Sequence, residues 1–164
     1  RVLNLGGGFG VRERLKDSEL SIIKVAQSFL KIKKAYPEYE LWLEPGRYLV
    51  AEAGVLLCSV SQIKTKGSRN YLGVNLGMNS FLRPSLYGSC HEIVNLSAEG
   101  VQKEKELYDV VGPICESGDV LGYSRLLPKS SEEDLLLLAS TGAYGRVMAS
   151  SYNRKIPASE LVLD

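Results

Sequence analysis

Apolar side chains crowd at the very start of the chain, with Val2, Leu3 and Leu5 around a single Asn4, and glycines follow from Gly6 to Gly10. This pattern is that of a buried strand running into a glycine turn. From residue 18 onward the period changes. Leu20, Ile23, Ala26, Gln27 and Leu30 recur at three- and four-residue steps, with Ile22, Val25 and Phe29 widening the stripe. The spacing predicts an amphipathic helix. Asp17 or Ser18 can cap its start, and Pro37 lies just past its lysine-rich end. Residues 40–43 read as a second strand, stopped by Pro45-Gly46. Strand, turn, helix, strand is a βαβ unit, which implies a parallel sheet or a (β/α) barrel.

Beyond that unit the pattern shortens. Residues 48–64, 71–75, 91–97, 106–115, 119–127 and 134–140 each read as a strand, and Gly, Pro, Ser and Asn clusters separate them. Such spacing is typical of an all-β unit. Two helical patches interrupt it, at 84–89 and 143–151, and residues 160–163 read as a closing strand. The expected boundary lies at 51–54, giving an α/β part over 1–53 and an all-β part over 54–164. A strand pattern at residue 2, with no Met before it, also leads to the expectation that more chain precedes Arg1.

The 164 residues are 45% hydrophobic and 24% charged, an ordinary globular balance for one domain or two small ones. Twenty Lys and Arg against nineteen Asp and Glu leave a net charge of +1, so no basic excess points to nucleic acid. The longest apolar run, residues 135–139, is far too short to span a bilayer as a helix. Cys58, Cys90 and Cys115 are odd in number and widely spaced, which argues against a zinc site and fits a reducing cytoplasm.

Five stretches carry candidate chemistry. Gly6-Gly7-Gly8-Phe9-Gly10 follows a strand, and glycines let backbone N–H groups approach an anion. It matches neither GxGxxG nor a Walker loop, and a plain tight turn is the competing reading. Glu44-Pro45-Gly46-Arg47 ends the second strand on the side where βα architectures carry their sites. Gly46 can offer its amide, Arg47 can clamp a carboxylate or phosphate, and Glu44 can face a cationic ring nitrogen. A Pro-Gly turn with a surface ion pair is the alternative. Arg83 and Tyr87 are four residues apart after a helix-starting Pro84 and share one helical face. They make either a carboxylate pocket or a surface arginine packed over a tyrosine.

Cys115-Glu116-Ser117-Gly118-Asp119 sets a thiol beside two carboxylates. Nearby anions keep a thiol protonated, which suits a proton donor, whereas a buried cysteine before a turn is the plainer reading. Thr141-Gly142-Ala143-Tyr144-Gly145 is expected to open the last helix, whose N-terminus could hold a phosphate with help from the Tyr144 hydroxyl. Tyr144 as a core aromatic is as plausible. His91 is the only histidine and so cannot belong to a histidine metal cluster; it reads as structural or as part of the pocket near Tyr87.

In this order, these stretches resemble the alanine racemase-like, fold-type III pyridoxal-phosphate enzymes, and among them the diaminopimelate decarboxylases. The most specific are Gly77-Met78-Asn79-Ser80-Phe81-Leu82-Arg83-Pro84-Ser85-Leu86-Tyr87-Gly88 and Cys115 to Asp119. The resemblance implies that residues 1–53 are the last βα units of a (β/α)8 barrel and 54–164 a C-terminal antiparallel β domain. It implies pyridoxal 5′-phosphate held by Gly7, Gly8, Glu44, Gly46, Arg47 and Tyr144. Arg47, Arg83, Tyr87, Glu116 and Tyr144 would bind substrate, and Cys115 would return a proton after CO2 leaves.

By the same resemblance, the 115–119 loop would enter a partner subunit's site, which makes a homodimer. Arg83 with Tyr87 suits an acid-tailed substrate, meso-2,6-diaminopimelate, with L-lysine as product. The rivals are a related decarboxylase acting on arginine, ornithine or carboxynorspermidine, and a non-catalytic phosphate or pyridoxal-phosphate binder. The segment bearing the family's Schiff-base lysine is not found, and Asn75-Leu76-Gly77 lacks an aspartate often seen before the Gly-Met-Asn stretch. The ending Asn153-Arg154-Lys155-Ile156-Pro157 and the stretch 91–96 resemble bacterial fusions with aspartate kinase.

Overall fold

The computed structural model describes residues 1–14, 16–100 and 103–163. Strand β1 (Val2–Asn4), helix α1 (Ile22–Ala35) and strand β2 (Glu40–Trp42) form the expected βαβ unit, with β1 and β2 parallel and Leu3 opposite Leu41. The helix starts later than the pattern predicts. Its cap is Ser21, whose hydroxyl accepts from the Lys24 amide at 3.4 Å, and not Asp17 or Ser18. Asp17 instead closes a turn by accepting from the Arg14 amide.

The predicted strand over 48–64 is divided. Pro45-Gly46 opens a short helix α2 (Gly46–Val50), a 3₁₀ turn follows over Ala51–Ala53, and the strand β3 begins only at Leu56 and runs to Lys66. Ala51, Glu52 and Ala53 are helix formers, and local propensity wins there over the apolar alternation.

The remaining strands are β4 (Arg69–Val74), β5 (Ile93–Asn95), β6 (Lys105–Val111), β7 (Val120–Pro128) and β8 (Leu135–Leu138), with α3 (Arg83–Tyr87) between β4 and β5. With β3 they form a six-stranded sheet ordered β5-β8-β3-β4-β6-β7. Its pairs are antiparallel apart from β4 and β6, which are parallel. The eleven-residue β3 joins both halves, pairing with β8 through Leu56–Ser59 and with β4 from Val60 onward. One face of this sheet carries the core. Leu72, Val74, Phe81, Val110, Leu121, Leu136 and Leu138 are at most 1% exposed. Burying each such side chain stabilises the fold by about 1.5–3 kcal/mol.

Other predicted bounds are corrected by local chemistry. The strand at 91–97 is short because the Asn95 side chain caps a 3₁₀ turn over Leu96–Ala98. The strand at 106–115 ends at Val111, before Gly112 and the donor-less Pro113. No helix covers 143–151. Tyr144 and Asn153 have positive φ, and only 3₁₀ turns form, at Arg146–Met148 and Tyr152–Arg154. Residues 160–163 form no strand, and Leu161, Val162 and Leu163 lie exposed; Asp164 is outside the described residues. Among the described residues, no helix is long and apolar enough to cross a membrane.

Candidate active site

The glycine turn after β1 and the loop after β2 meet backbone to backbone. The Glu44 amide donates to the Gly6 carbonyl at 2.8 Å, and a Cβ on Gly7 would stand 2.4 Å from the Glu44 carbonyl oxygen. Only glycine fits at position 7. Gly6 and Gly8 take φ of +72° and +81°, the left-handed region that glycine enters without strain. Asn4, the polar interruption of the first apolar run, holds this junction. Its side-chain amide donates to Glu44 Oε1 at 2.5 Å, and its Oδ1 accepts from the Gly6 amide at 2.8 Å. Sequence reasoning assigned Asn4 no role, although an asparagine among Val2, Leu3 and Leu5 was the available signal.

A second approach brings in the far end of the chain. The Thr141 amide donates to the Gly54 carbonyl and the Gly142 amide to the Ala51 carbonyl, both at 2.9 Å. A Cβ on Gly142 would lie 2.1 Å from the Val50 carbonyl oxygen. This close packing delivers Tyr144 to the loop after β2, where its hydroxyl lies 3.9 Å from where a Gly46 Cβ would be. Tyr144 has φ +61°, a strained setting for a bulky side chain, of a kind that gathers at functional sites. The predicted helix N-terminus at Tyr144 does not exist, so any hold on an anion there comes from the hydroxyl and not from a helix dipole.

One cavity of about 680 Å³ results, within the usual range for small-molecule sites. Gly7, Gly8, Glu44, Gly46, Arg47, Arg83 and Tyr144 line it, together with Phe9 and Tyr48, which sequence reasoning passed over. The rings of Phe9 and Tyr48 are 5.9 Å apart. Arg47 pairs loosely with Glu13 at 3.7 Å, and a Glu13 oxygen also accepts from the Cys90 amide at 3.4 Å.

Arg83 is buried, with its guanidinium 5.7 Å from the Tyr87 ring centre and 5.8 Å from that of Tyr144. Among the described residues no carboxylate pairs with it. Burial, and next the neighbouring Arg47 charge, push the Arg83 guanidinium below its usual value. Arginine stays charged even so. Two cations facing one cavity, one of them without a counter-ion, are arranged to take an anion.

Tyr87 is exposed and meets the site through Arg83. Cys115 and Glu116 stand elsewhere, exposed in the turn between β6 and β7, and do not line the cavity. The reading of Cys115 as a buried structural cysteine is therefore excluded. Glu116 accepts the Tyr152 hydroxyl, which pushes the Tyr152 phenol up. His91 is buried against Phe81, their ring centres 4.6 Å apart, and its Nδ1 lies 3.0 Å from the Ala139 carbonyl. A carbonyl only accepts, so Nδ1 carries the proton.

Residues 23–142 match the family of pyridoxal-dependent decarboxylases in its C-terminal sheet domain. The diaminopimelate decarboxylase of Haemophilus influenzae is 40% identical over 162 residues, which is 99% of this chain and 38% of the relative. The crystal structure of diaminopimelate decarboxylase from Helicobacter pylori, complexed with L-lysine, superposes with a TM-score of 0.81 at 36% identity, covering 93% of this chain and 37% of that one. The structure of SrLDC with PLP and cadaverine gives 0.81 at 25% identity, covering 94% and 40%. The chain thus spans well under half the length of these relatives.

Proposed function

Given that this chain belongs to the pyridoxal-dependent decarboxylases, its residues 23–142 matching their C-terminal sheet domain, we propose that it works within a longer enzyme converting meso-2,6-diaminopimelate to L-lysine and CO2. The observation that carries this reading is the convergence of Gly8, Arg47, Arg83 and Tyr144, from four separate segments of the chain, on one cavity. The H. influenzae relative bears the name of that activity, and the H. pylori structure holds L-lysine.

The lining suits pyridoxal phosphate. Open glycine backbone at Gly8 and the Tyr144 hydroxyl can hold the phosphate, and Glu44, oriented by Asn4, can face the ring nitrogen. The Gly46 amide, expected to be a phosphate donor, instead donates to the Glu44 carbonyl at 2.9 Å, so Gly46 serves by leaving room in the lining. When bound, the cofactor draws off the electron pair left on the α-carbon as CO2 departs. The protein's own groups bind and position. Arg47, Arg83 and Tyr87 take the distal carboxylate, and Glu116 takes the distal ammonium, on the L-configured centre that survives in L-lysine. Cys115 Sγ–H gives its proton to the α-carbon, the S–H bond breaking as the C–H bond forms.

Residues 1–53 act as the last βα units of a barrel and 54–164 as the β domain. The parallel β1–β2 pair and the exposed Ile22, Ile23 and Leu30 of α1 support that division. Because Cys115 and Glu116 do not line their own chain's cavity, they serve a partner's site in a homodimer. Three free cysteines fit a cytoplasmic setting. These 164 residues alone release no CO2.

The test is CO2 release by the whole enzyme. It should turn over meso-diaminopimelate in preference to lysine, ornithine or arginine, and only with pyridoxal phosphate. Preferential turnover of a substrate with a cationic tail would sink the assignment.

A further inference from the structure

Asp119 is 3% exposed and has no cationic partner among the described residues. A buried carboxylate in that position must be held by hydrogen bonds. Its two oxygens take backbone amides from two different segments. Oδ1 accepts from Met78 and Oδ2 from Ile114, each at 2.6 Å. Burial pushes the Asp119 carboxyl up, and these two amides act against it.

Two glycines make room for the arrangement. A Cβ on Gly77 would lie 2.6 Å from Asp119 Oδ2, and one on Gly112 would lie 2.4 Å from the same atom and 2.5 Å from the Gly77 Cα. Any side chain at either position would displace the carboxylate or part the two segments. The backbone of Asp119 closes the loop around it as well. Its carbonyl accepts from Gly112 at 2.9 Å, its amide donates to Glu116 at 3.1 Å, and the Glu116 amide donates to Ile114 at 2.8 Å. Cys115 and Glu116 thus stand on a loop folded onto Asp119.

The other segment leads to Arg83. The amides of Ser80 and Phe81 both donate to the Gly77 carbonyl, and the fully buried Phe81 precedes α3, where Arg83 sits. One carboxylate therefore bridges the loop with the candidate proton donor and the segment with the candidate substrate-binding arginine.

We propose that Asp119 is a positioning residue of the decarboxylation, fixing the Cys115 loop against the Gly77–Arg83 segment so that the thiol is offered at a set place. This rests on the reading of Cys115 as the group that returns the proton. Charge-assisted bonds to backbone amides are short and directional, and they specify where a loop stands better than apolar packing does. A displacement of about 1 Å in a proton donor costs up to roughly 100-fold in rate.

The experiment compares Asp119→Asn with wild type in the whole, cofactor-loaded enzyme. Asparagine keeps the shape but sets an NH2 against one of the two amides. The expected result is kcat lower by about 10- to 100-fold, with KM for meso-diaminopimelate and the cofactor absorbance unchanged. The solvent deuterium isotope effect on kcat should rise, because proton return becomes limiting; a general loss of stability would not move it. If Asp119→Asn does not fold, Gly77→Ala, which keeps the carboxylate and pushes on it, is read the same way. Unchanged kcat and isotope effect overturn the proposal, as does a rise in KM alone, which would tie Asp119 to the Arg83 pocket only. Cys115→Ala separates the two readings. If it abolishes kcat while the Asp119 variant is normal, only the positioning role fails. If it leaves kcat intact, the proton-donor reading fails.

Discussion

The Arg83 guanidinium stands 5.8 Å from the ring centre of Tyr144, although four strands separate the two residues in the sequence. An arginine over an aromatic face gains some cation–π stabilisation but keeps its donors free for an anion. With the Tyr87 ring also within 5.7 Å and, among the described residues, no carboxylate paired to it, Arg83 is held ready and not neutralised. Arg83→Ala should therefore lower kcat/KM for meso-diaminopimelate by about 30-fold or more, from the roughly 2–5 kcal/mol that losing one partner of a buried charge pair costs. Arg83→Lys should recover little, because an ammonium cannot reproduce the planar two-donor geometry. Steady-state kinetics of the two variants check this; near-normal kcat/KM in either would remove Arg83 from the pocket.

The lone histidine gives a pH dependence with a definite sign. Burial lowers the His91 pKa, its bond to the Ala139 carbonyl works the other way, and the Arg83 charge lowers it further. The fold therefore favours neutral imidazole, whereas the unfolded chain takes up its proton near pH 6.5. The stability that neutral His91 permits is present above that pH and is lost as pH falls towards and through the lowered folded value. Thermal unfolding followed between pH 7.5 and 5.5 should show Tm falling in acid, and His91→Gln should flatten the slope. Equal slopes would mean that other groups set the acid limit.

Much of the site was legible because it is local. A strand running into Gly6-Gly7-Gly8, a second strand ending at Glu44 to Arg47, and the four-residue step from Arg83 to Tyr87 are short-range patterns with direct physical causes. Some misses are local, as in the 3₁₀ turns at Ala51–Ala53 and after Asn95, but contacts across the chain fix how residues 48–55 meet residues 141–145. Gly142 against the Val50 carbonyl cannot be seen in either stretch alone, and it turns an expected helix start into a strained turn that aims Tyr144. The role of Asp119 was likewise hidden. Its partners Met78 and Ile114 are joined only by the fold.

The three thiols should separate by reactivity. Cys58 is in the core, where burial pushes its thiol up to about 12, so almost no thiolate exists at neutral pH. Reaction needs thiolate and access, and Cys58 has neither. In the native enzyme a thiol reagent at pH 8 should leave Cys58 unmodified for as long as the fold persists, and denaturant should release it. Peptide mapping after timed labelling reads the order. Labelling of Cys58 at the rate of an exposed thiol would show that the sheet opens there.

Gly142 gives the sharpest test of how the site is assembled. Its φ is not in the left-handed region, so alanine is conformationally allowed there; the obstacle is space, since the new Cβ would meet the Val50 carbonyl oxygen at 2.1 Å. Backbone cannot swing aside as a flexible side chain can, so Gly142→Ala must part the 141–145 turn from the α2 segment. Overpacking of this kind costs about 1–3 kcal/mol. The same shift should draw the Tyr144 hydroxyl away from Gly46, weakening the hold on pyridoxal phosphate. Tyr144→Phe isolates the second effect, because it deletes the hydroxyl and leaves the packing alone. Cofactor affinity should fall in both variants, and Tm measured without added cofactor should fall only in Gly142→Ala. If Gly142→Ala bound cofactor as wild type does, Tyr144 would have to reach the cavity by its own loop's geometry, without the close approach of Gly142 to the Val50 carbonyl.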